Sequence, residues 1–116
     1  MALLRNATTG AIIATRIDQL SGLFQRAVGL LARPNVQPDE GVWITACSSI
    51  HTMGMRYAID VIFVDRDGCV VHIERNLRPN RLAFGRRRAR AVVEMAAGAL
   101  NQVDVMIGDR LELLGS

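Results

Sequence analysis

The chain has 116 residues, of which 50% are hydrophobic and only 3 are Pro, and it carries a formal charge of +3. This composition predicts one packed domain over residues 1–116 and excludes a disordered protein. No apolar run approaches the roughly 20 residues of a membrane span, and Met1–Asn6 lacks the basic start and long apolar middle of a signal peptide. We therefore expect a cytoplasmic protein that does not bind membranes.

The N-terminal part of the chain predicts a strand followed by the main helix. Ala11–Thr15 is a short strand that we pair with Leu3–Leu4 across a turn. Thr15 followed by Asp18 is a variant of the helix capping box, and apolar residues then recur at helical spacing. A proline ends this pattern, because it disfavours the helical conformation of the residue before it. We predict one helix from Thr15 to Arg33.

A buried β-hairpin is the centre of the prediction. Tyr57–Val64 is a run of β-branched and aromatic residues that ends at the turn signal Asp65–Gly68, and Cys69–Ile73 returns as its partner strand. The first strand is apolar on both faces except at Asp60, which indicates a central strand covered on both sides. Val42–Ala46 is a further strand that precedes the hairpin.

The C-terminal part begins with a strongly basic stretch. All 14 basic residues of the chain are Arg, and seven of them lie in Arg75–Arg90 with no acid among them. We call Arg75–Arg90 the Arg segment, and its Pro, Gly and Asn content predicts a long exposed loop from Leu77 to Arg90. Strands at Ala91–Met95 and Leu111–Leu114 follow, with a short helix after Gly98 between them.

A pattern of residues spread over these elements resembles the signature of a known family. It comprises Ile50-His51-Thr52, Met55, Ile59-Asp60-Val61, Phe63, Asp65 and Gly68, with Arg26, Gly29-Leu30, Val93-Glu94, Ala97-Gly98 and Gly108-Asp109 around it. The family is DUF 192 (domain of unknown function 192, also called UPF0127), and the resemblance covers nearly the whole chain. It implies a small α+β fold with a curled, barrel-like sheet, and no established activity comes with it.

The predicted fold class is therefore α+β. We expect a curved, mostly antiparallel, barrel-like sheet with one main helix packed on it and a short second helix near Ala99.

The first candidate site combines His51, Thr52, Asp60 and Glu94. A His beside a carboxylate in a partly apolar site could act as a general base, because burial and pairing tune both pKa values. The alternative is structural: Asp60 accepts hydrogen bonds from the backbone or from Arg56, and His51 fixes Ser48–Met55, the irregular linker predicted to lead into the hairpin, in the same way. We favour the structural alternative, since structural networks and catalytic sites share this residue pattern.

We expect no metal and no cofactor. Cys47, His51 and His72 offer only part of a zinc ligand pattern, and the turn at Asp65–Gly68 lacks the later acidic ligands of a calcium loop. Because disulfides are rare in the cytosol, Cys47 and Cys69 are better interpreted as small buried hydrophobic residues than as a disulfide pair.

The Arg segment is the second candidate site. Guanidinium groups bind carboxylates and phosphates through paired hydrogen bonds, so seven of them could hold an anionic ligand or a nucleic-acid backbone. The alternative is a solvated loop whose Arg pair with the rest of the chain, where seven Arg against 11 acids leave a charge of −4. The only aromatic residue of the segment is Phe84, which gives base stacking little support.

We predict a small ligand- or partner-binding domain that recognises an anionic ligand through the Arg segment beside a cleft containing His51 and Asp60. The residues expected to bind are Thr52, Met55, Arg78, Arg81, Glu94 and Asp109. The competing functions are a hydrolase or lyase with His51 and Asp60 as acid and base, a nucleic-acid-binding module, and a protein-binding domain with an apolar face.

Overall fold

The computed structural model describes residues 2–21 and 35–115. Within these ranges the chain forms nine β-strands and one turn of 3₁₀ helix. The strands are β1 Ala2–Asn6, β2 Ile12–Leu20, β3 Glu40–Thr45, β4 Ser49–His51, β5 Ile59–Val64, β6 Val70–Leu77, β7 Leu82–Phe84, β8 Ala91–Ala96 and β9 Leu111–Leu114, and the 3₁₀ turn is Ala99–Asn101. No helix in the described ranges is long and apolar enough to cross a membrane.

Seven of the strands form one sheet in the order β6-β5-β8-β3-β2-β1-β9, and β4 pairs with β7 in a separate small sheet. Neighbours in the large sheet are antiparallel except β2 and β3, which run parallel. The two edges of the large sheet meet at one end, where Cys69 and Arg110 form a β-bridge. The Leu111 N–H donates to the Gly68 carbonyl there at 2.8 Å, so the start of β6 contacts the start of β9.

The predicted α+β class is wrong, because the fold is dominated by sheet and no helix of 7 or more residues occurs in the described part of the chain. The first third of the predicted Thr15–Arg33 helix lies in strand β2. Its continuation from residue 22 to Arg33 falls outside the described residues. The predicted second helix is a single 3₁₀ turn at Ala99–Asn101.

Two β-bulges interrupt the regular alternation of buried residues in β2. Along the β1–β2 pair, Ala2 lies opposite Ile17, Leu4 opposite Ala14 and Arg5 opposite Ile12, so β2 contains one extra residue at each of two places. An extra residue reverses the alternation of faces beyond it. The buried residues of β2 therefore lie at 13, 14 and 17, a spacing that also fits one face of a helix.

Thr15 stabilises a different structure from the predicted helix cap. Its hydroxyl donates to the Asp39 carboxylate at 3.0 Å, and its N–H donates to the Asp39 carbonyl at 2.8 Å. The hydroxyl contact, with a smaller contribution from Arg16, lowers the pKa of the exposed Asp39. Thr15 thus holds β2 against the turn that leads into β3.

Other predicted strands are confirmed. The N-terminal strand pairs with the segment containing Leu3 and Leu4, and the central hairpin forms between β5 and β6. Every residue of β5 is buried, with Ile62 and Val64 in one apolar cluster and Val61 and Phe63 in another on the opposite face. The β5 strand is therefore central and covered on both sides.

The predicted loop from Leu77 to Arg90 is wrong at two places. Leu77 is the last residue of β6, and Leu82–Phe84 forms β7, which pairs with β4. Ala83 and Ile50 of this small sheet are buried in the second apolar cluster. That burial supplies the stabilisation that allows a three-residue strand to form here.

Candidate functional site

Asp60 uses its carboxylate to hold backbone from two other elements. Its Oδ1 accepts the Asn76 N–H at 2.8 Å, and its Oδ2 accepts the Gly98 N–H at 3.0 Å and the Leu100 N–H at 3.1 Å. The residue is only 1% exposed. Three charge-assisted hydrogen bonds to backbone donors satisfy a buried carboxylate without a neighbouring cation. Asp60 thus fastens β6 and the 3₁₀ turn to β5.

Asp60 and Glu94 lie on opposite faces of the large sheet. In the β5–β8 pair, Asp60 is opposite Met95 and Val61 is opposite Glu94. Directly opposite residues share a face, and successive residues alternate between faces. Asp60 therefore lies on the Met95 side, while Glu94, buried at 5% exposure, lies on the Val61 side. The two carboxylates do not share a cleft.

His51 lies in the small sheet and is exposed. Its Nδ1 accepts the Met53 N–H at 3.2 Å. Within the described residues, no hydrogen bond joins His51 to Asp60. The two side chains of the proposed acid–base pair therefore each bind backbone, in different parts of the fold.

Thr52 organises the turn that carries Arg78 and Arg81. Its buried hydroxyl donates to the Arg78 carbonyl at 2.6 Å and accepts the Arg81 N–H at 2.9 Å. The Thr52 N–H donates to the Arg81 carbonyl, and the Thr52 carbonyl accepts the Asn80 N–H, both at 2.8 Å. Of the residues predicted to bind ligand, the structure thus brings together Thr52, Arg78 and Arg81, with Thr52 positioning the two Arg.

Met55 and Asp109 contact other parts of the protein. Met55 is half-buried and packs against the second apolar cluster. Asp109 is buried, and its Oδ2 accepts the Asn6 side-chain amide at 2.8 Å and the Met106 N–H at 3.0 Å. Both side chains stabilise the fold in these positions.

The Arg segment exposes all seven of its guanidinium groups. The exposed residues are Arg75, Arg78, Arg81, Arg86, Arg87, Arg88 and Arg90. In the part of the chain that the structure describes, Arg5 and Arg16 form salt bridges with acidic side chains, whereas no Arg of the Arg segment does so. The predicted pairing of these seven Arg with acids of the remaining chain is therefore not observed among those residues.

Two residues of the Arg segment line a cleft of about 350 Å³ together with the turn between β5 and β6. Its lining residues are Asp65, Arg66, Asp67, Arg88 and Arg90. The Asp65 Oδ1 already accepts two backbone N–H groups of its own turn, at 2.9 Å each. Three guanidinium groups and two carboxylates therefore surround this cleft.

The small sheet exposes apolar side chains that the sequence did not indicate as a surface. Leu82 is 64% exposed and Phe84 is 67% exposed. On the outer face of the small sheet, Leu82 lies opposite His51 and Phe84 lies opposite Ser49, while Ala83 points into the core. The signal in the sequence was the triplet at 82–84, in which large apolar residues flank a small one, but it is too short to predict a strand on its own.

Comparison with known proteins assigns the chain to a family. The sequence model of DUF192, described as an uncharacterised ACR, matches residues 5–113. The chain belongs to the DUF192 family. A UPF0127 protein of Thermococcus sibiricus is 31% identical over 117 residues, covering 95% of the chain and 73% of the relative. Another from Pyrococcus furiosus is 33% identical over 113 residues, covering 92% and 94%. The resemblance in the sequence is confirmed.

Two solved structures share the fold. A crystal structure from Sinorhizobium meliloti, named as a candidate transcription regulator, has a TM-score of 0.83 at 25% identity and covers 97% of this chain and 91% of its own. A protein of unknown function from Novosphingobium aromaticivorans has a TM-score of 0.81 at 19% identity, covering 96% and 82%. DUF192 is a family of uncharacterised function.

Proposed function

We propose that this protein is a small binding domain that holds an anionic ligand on its Arg segment. The observation that carries the proposal is the set of seven exposed guanidinium groups, none with a salt bridge in the described part of the chain. An Arg without an acidic partner keeps most of its N–H donors available for a carboxylate or phosphate. Arg81 and Arg90 each use only Nη1, which donates to backbone carbonyls of the same segment.

The backbone of the central part of the segment is fixed before any ligand binds. Five hydrogen bonds join Thr52 to Arg78, Asn80 and Arg81. A sixth runs from the Gly54 N–H to the Asn80 side chain at 3.0 Å. Fixing the backbone of a binding turn in advance lowers the conformational entropy lost on binding. Arg78 and Arg81 therefore project from a prepared turn.

The charge distribution also favours an anion. The Arg segment carries seven positive charges, whereas the rest of the chain has a charge of −4. Like charges held close together repel one another, and an anion bound among them relieves that repulsion. Such attraction is strongest at low ionic strength and weakens as salt screens it.

Nucleic acid is one anion to test, because the similar structure from S. meliloti is named as a candidate transcription regulator. The hydrolase or lyase alternative has less support, since Asp60 uses both oxygens for backbone N–H groups and His51 binds the Met53 N–H. We therefore propose binding in preference to catalysis.

Isothermal titration calorimetry with pyrophosphate, a short oligo-aspartate and a short RNA, each at low and at physiological salt, tests the proposal. The test variant is Arg78→Gln with Arg81→Gln. The control variant is Arg16→Gln with Arg110→Gln, which removes the same charge elsewhere. We expect one or more probes to bind at low salt, with a loss of about tenfold in the test variant, since each lost charged hydrogen bond contributes about 1.5–3 kcal/mol before solvent screening reduces it. The control should bind as the wild type does.

Absence of binding by all three probes at low salt would overturn the proposal. An equal loss in the test and control variants would also overturn it, because the effect would then depend only on net charge.

A further inference from the structure

Strand β7 directs half of its backbone groups away from β4, the one strand that pairs with it in the described part of the chain. In the antiparallel β4–β7 pair, the Gly85 N–H donates to the Ser48 carbonyl and the Thr52 N–H donates to the Arg81 carbonyl, both at 2.8 Å. Hydrogen-bonded and non-hydrogen-bonded pairs alternate along such a ladder. Leu82 and Phe84 fall at the non-hydrogen-bonded positions, so their N–H and C=O groups point outward.

These outward groups are unused in the described part of the chain. No hydrogen bond there reaches the backbone of Leu82 or Phe84. Proteins usually protect an open strand edge by keeping the strand very short, or with charged side chains, Pro or a bulge on it. β7 is short, but its three residues include no charge, Pro or bulge, and two of them are large exposed apolar side chains. The edge of β7 is therefore open to a further strand.

We infer that an extended acidic peptide docks on β7 and adds a third strand to the β4–β7 sheet. This inference rests on the proposed function, because it names the class of anion that the Arg segment holds. Arg81 directly precedes β7, and Arg86 follows it by two residues. Both are exposed, so guanidinium groups flank the strand at both ends. A peptide with Asp or Glu at its ends is the complementary partner.

The exposed face of β7 defines what the middle of the peptide contains. Leu82 and Phe84 project from the same face, on either side of the buried Ala83. Alternate side chains of an added strand would lie beside them, because neighbouring strands share faces. The preferred peptide therefore has apolar residues at alternate central positions and acids outside them.

A peptide fits this surface better than a nucleic acid does. A peptide that adds a strand to a sheet edge gains its affinity from main-chain hydrogen bonds and its specificity from alternate side chains. A nucleic acid has no backbone N–H with which to continue the ladder, and although the exposed Phe84 ring could stack one base, Leu82 beside it offers no flat face for a second. The combination of open edge, apolar face and flanking Arg is matched by an acidic strand.

The probe for the test is a fluorescently labelled synthetic peptide with glutamates flanking an alternating valine and threonine core, titrated at low salt by fluorescence anisotropy. Two further peptides carry N-methyl groups on one or the other alternate set of backbone nitrogens. Only one alternate set of the peptide's N–H groups can face β7. The peptide methylated on that set should lose about tenfold in affinity, which corresponds to one or two hydrogen bonds. The peptide methylated on the other set should bind nearly as the parent peptide does.

Variants of the protein test the same hydrogen bonds by changing β7 instead of the peptide. Phe84→Pro removes an outward N–H without removing a hydrogen bond to β4, whereas Phe84→Ala keeps that N–H and removes only the ring. We expect the Pro variant to lose binding and the Ala variant to retain part of it. The N-methylated peptides decide the question if the Pro variant fails to fold.

Equal binding by both N-methylated peptides would overturn the strand addition. If the peptide fails to bind while pyrophosphate or RNA binds through Arg78 and Arg81, the inference fails and the proposed function stands. If no anion binds, both fail. A dimer in sedimentation experiments that Phe84→Pro abolishes would make a second copy of the chain the occupant, and would also overturn the inference.

Discussion

Asp60 shows what a single residue can and cannot reveal in a sequence. An acid inside an apolar strand was recognisable from its neighbours, and its structural role was the favoured interpretation. Its partners were not recognisable, because their N–H groups come from positions 16, 38 and 40 residues away along the chain. Backbone donors leave no signature in side-chain identity, so the sequence predicted backbone or Arg56 donors without locating them, and paired Asp60 with His51 only in the acid–base alternative.

Replacing Asp60 with Asn should destabilise the protein. An amide group has one acceptor oxygen and one NH₂ group, so in either orientation the NH₂ would face a backbone N–H that Asp60 now accepts. Leaving a buried donor unsatisfied costs about 1–3 kcal/mol. Urea denaturation should show that decrease in the free energy of unfolding.

The matched control for Asp60→Asn is Asp67→Asn. Asp67 is exposed in the β5–β6 turn, and its carboxylate makes no hydrogen bond within the described residues. This variant should stay within about 0.5 kcal/mol of the wild type, as surface substitutions usually do. Similar stabilities for the two variants would contradict the structural role of Asp60.

At the scale of elements, the sequence predicted strands well where alternation was regular and failed where it was interrupted. The β5–β6 hairpin was correct because its apolar run and its Gly68 turn agree with each other. β2 was predicted correctly as a strand up to Thr15 and wrongly as a helix after it, because Thr15 and Asp18 match a capping box and the apolar residues that follow recur at helical spacing. β7 was missed because a three-residue strand depends on its partner β4, and that pairing is not visible locally.

The hydrogen bonds between Thr52 and the turn at 78–81 lead to a second prediction. Thr52→Val keeps the shape of the side chain and removes the hydroxyl that bonds to the Arg78 carbonyl and the Arg81 N–H. We expect a loss of about 1–3 kcal/mol in stability. Amide hydrogen exchange at Arg81 should accelerate, and anion binding should weaken, because the turn is no longer fixed.

Thr9→Val is the control for the Thr52 variant. Thr9 is exposed in the β1–β2 turn, where its hydroxyl accepts the Ala11 N–H at 3.2 Å. Its replacement should leave exchange at Arg81 unchanged. Unaltered exchange at Arg81 in Thr52→Val itself would show that the hydroxyl does not hold the turn.

At the scale of the whole molecule, the meeting of the two sheet edges depends on Gly68. Its φ is +86°, and a Cβ at this position would lie 2.6 Å from the Leu111 carbonyl oxygen. Gly98 has nearly the same φ, +87°, but a Cβ there would meet nothing within 4 Å. An alanine would therefore meet the same left-handed backbone strain at both positions, and a steric clash only at position 68.

Alanine substitutions at the two glycines should separate these effects. Gly98→Ala should cost about 1 kcal/mol through left-handed backbone strain alone. Gly68→Ala should cost about 1–3 kcal/mol more, because the junction between β6 and β9 has to move. Thermal and urea unfolding of both variants measures the difference, and equal losses would show that the edge contact contributes little to stability.

The pairing of β1 with β9 has a consequence for how the protein is made. Arg5 of β1 forms a 2.6 Å salt bridge with Glu112 of β9, 107 residues further along the chain. During translation β1 can pair with β2 early, but its other side stays open until β9 has left the ribosome. Strands this far apart in the sequence pair slowly, because closing the long intervening loop costs conformational entropy. The large sheet can therefore be completed only after β9 has been synthesised, and until then one edge of β1 in the nascent chain stays unpaired.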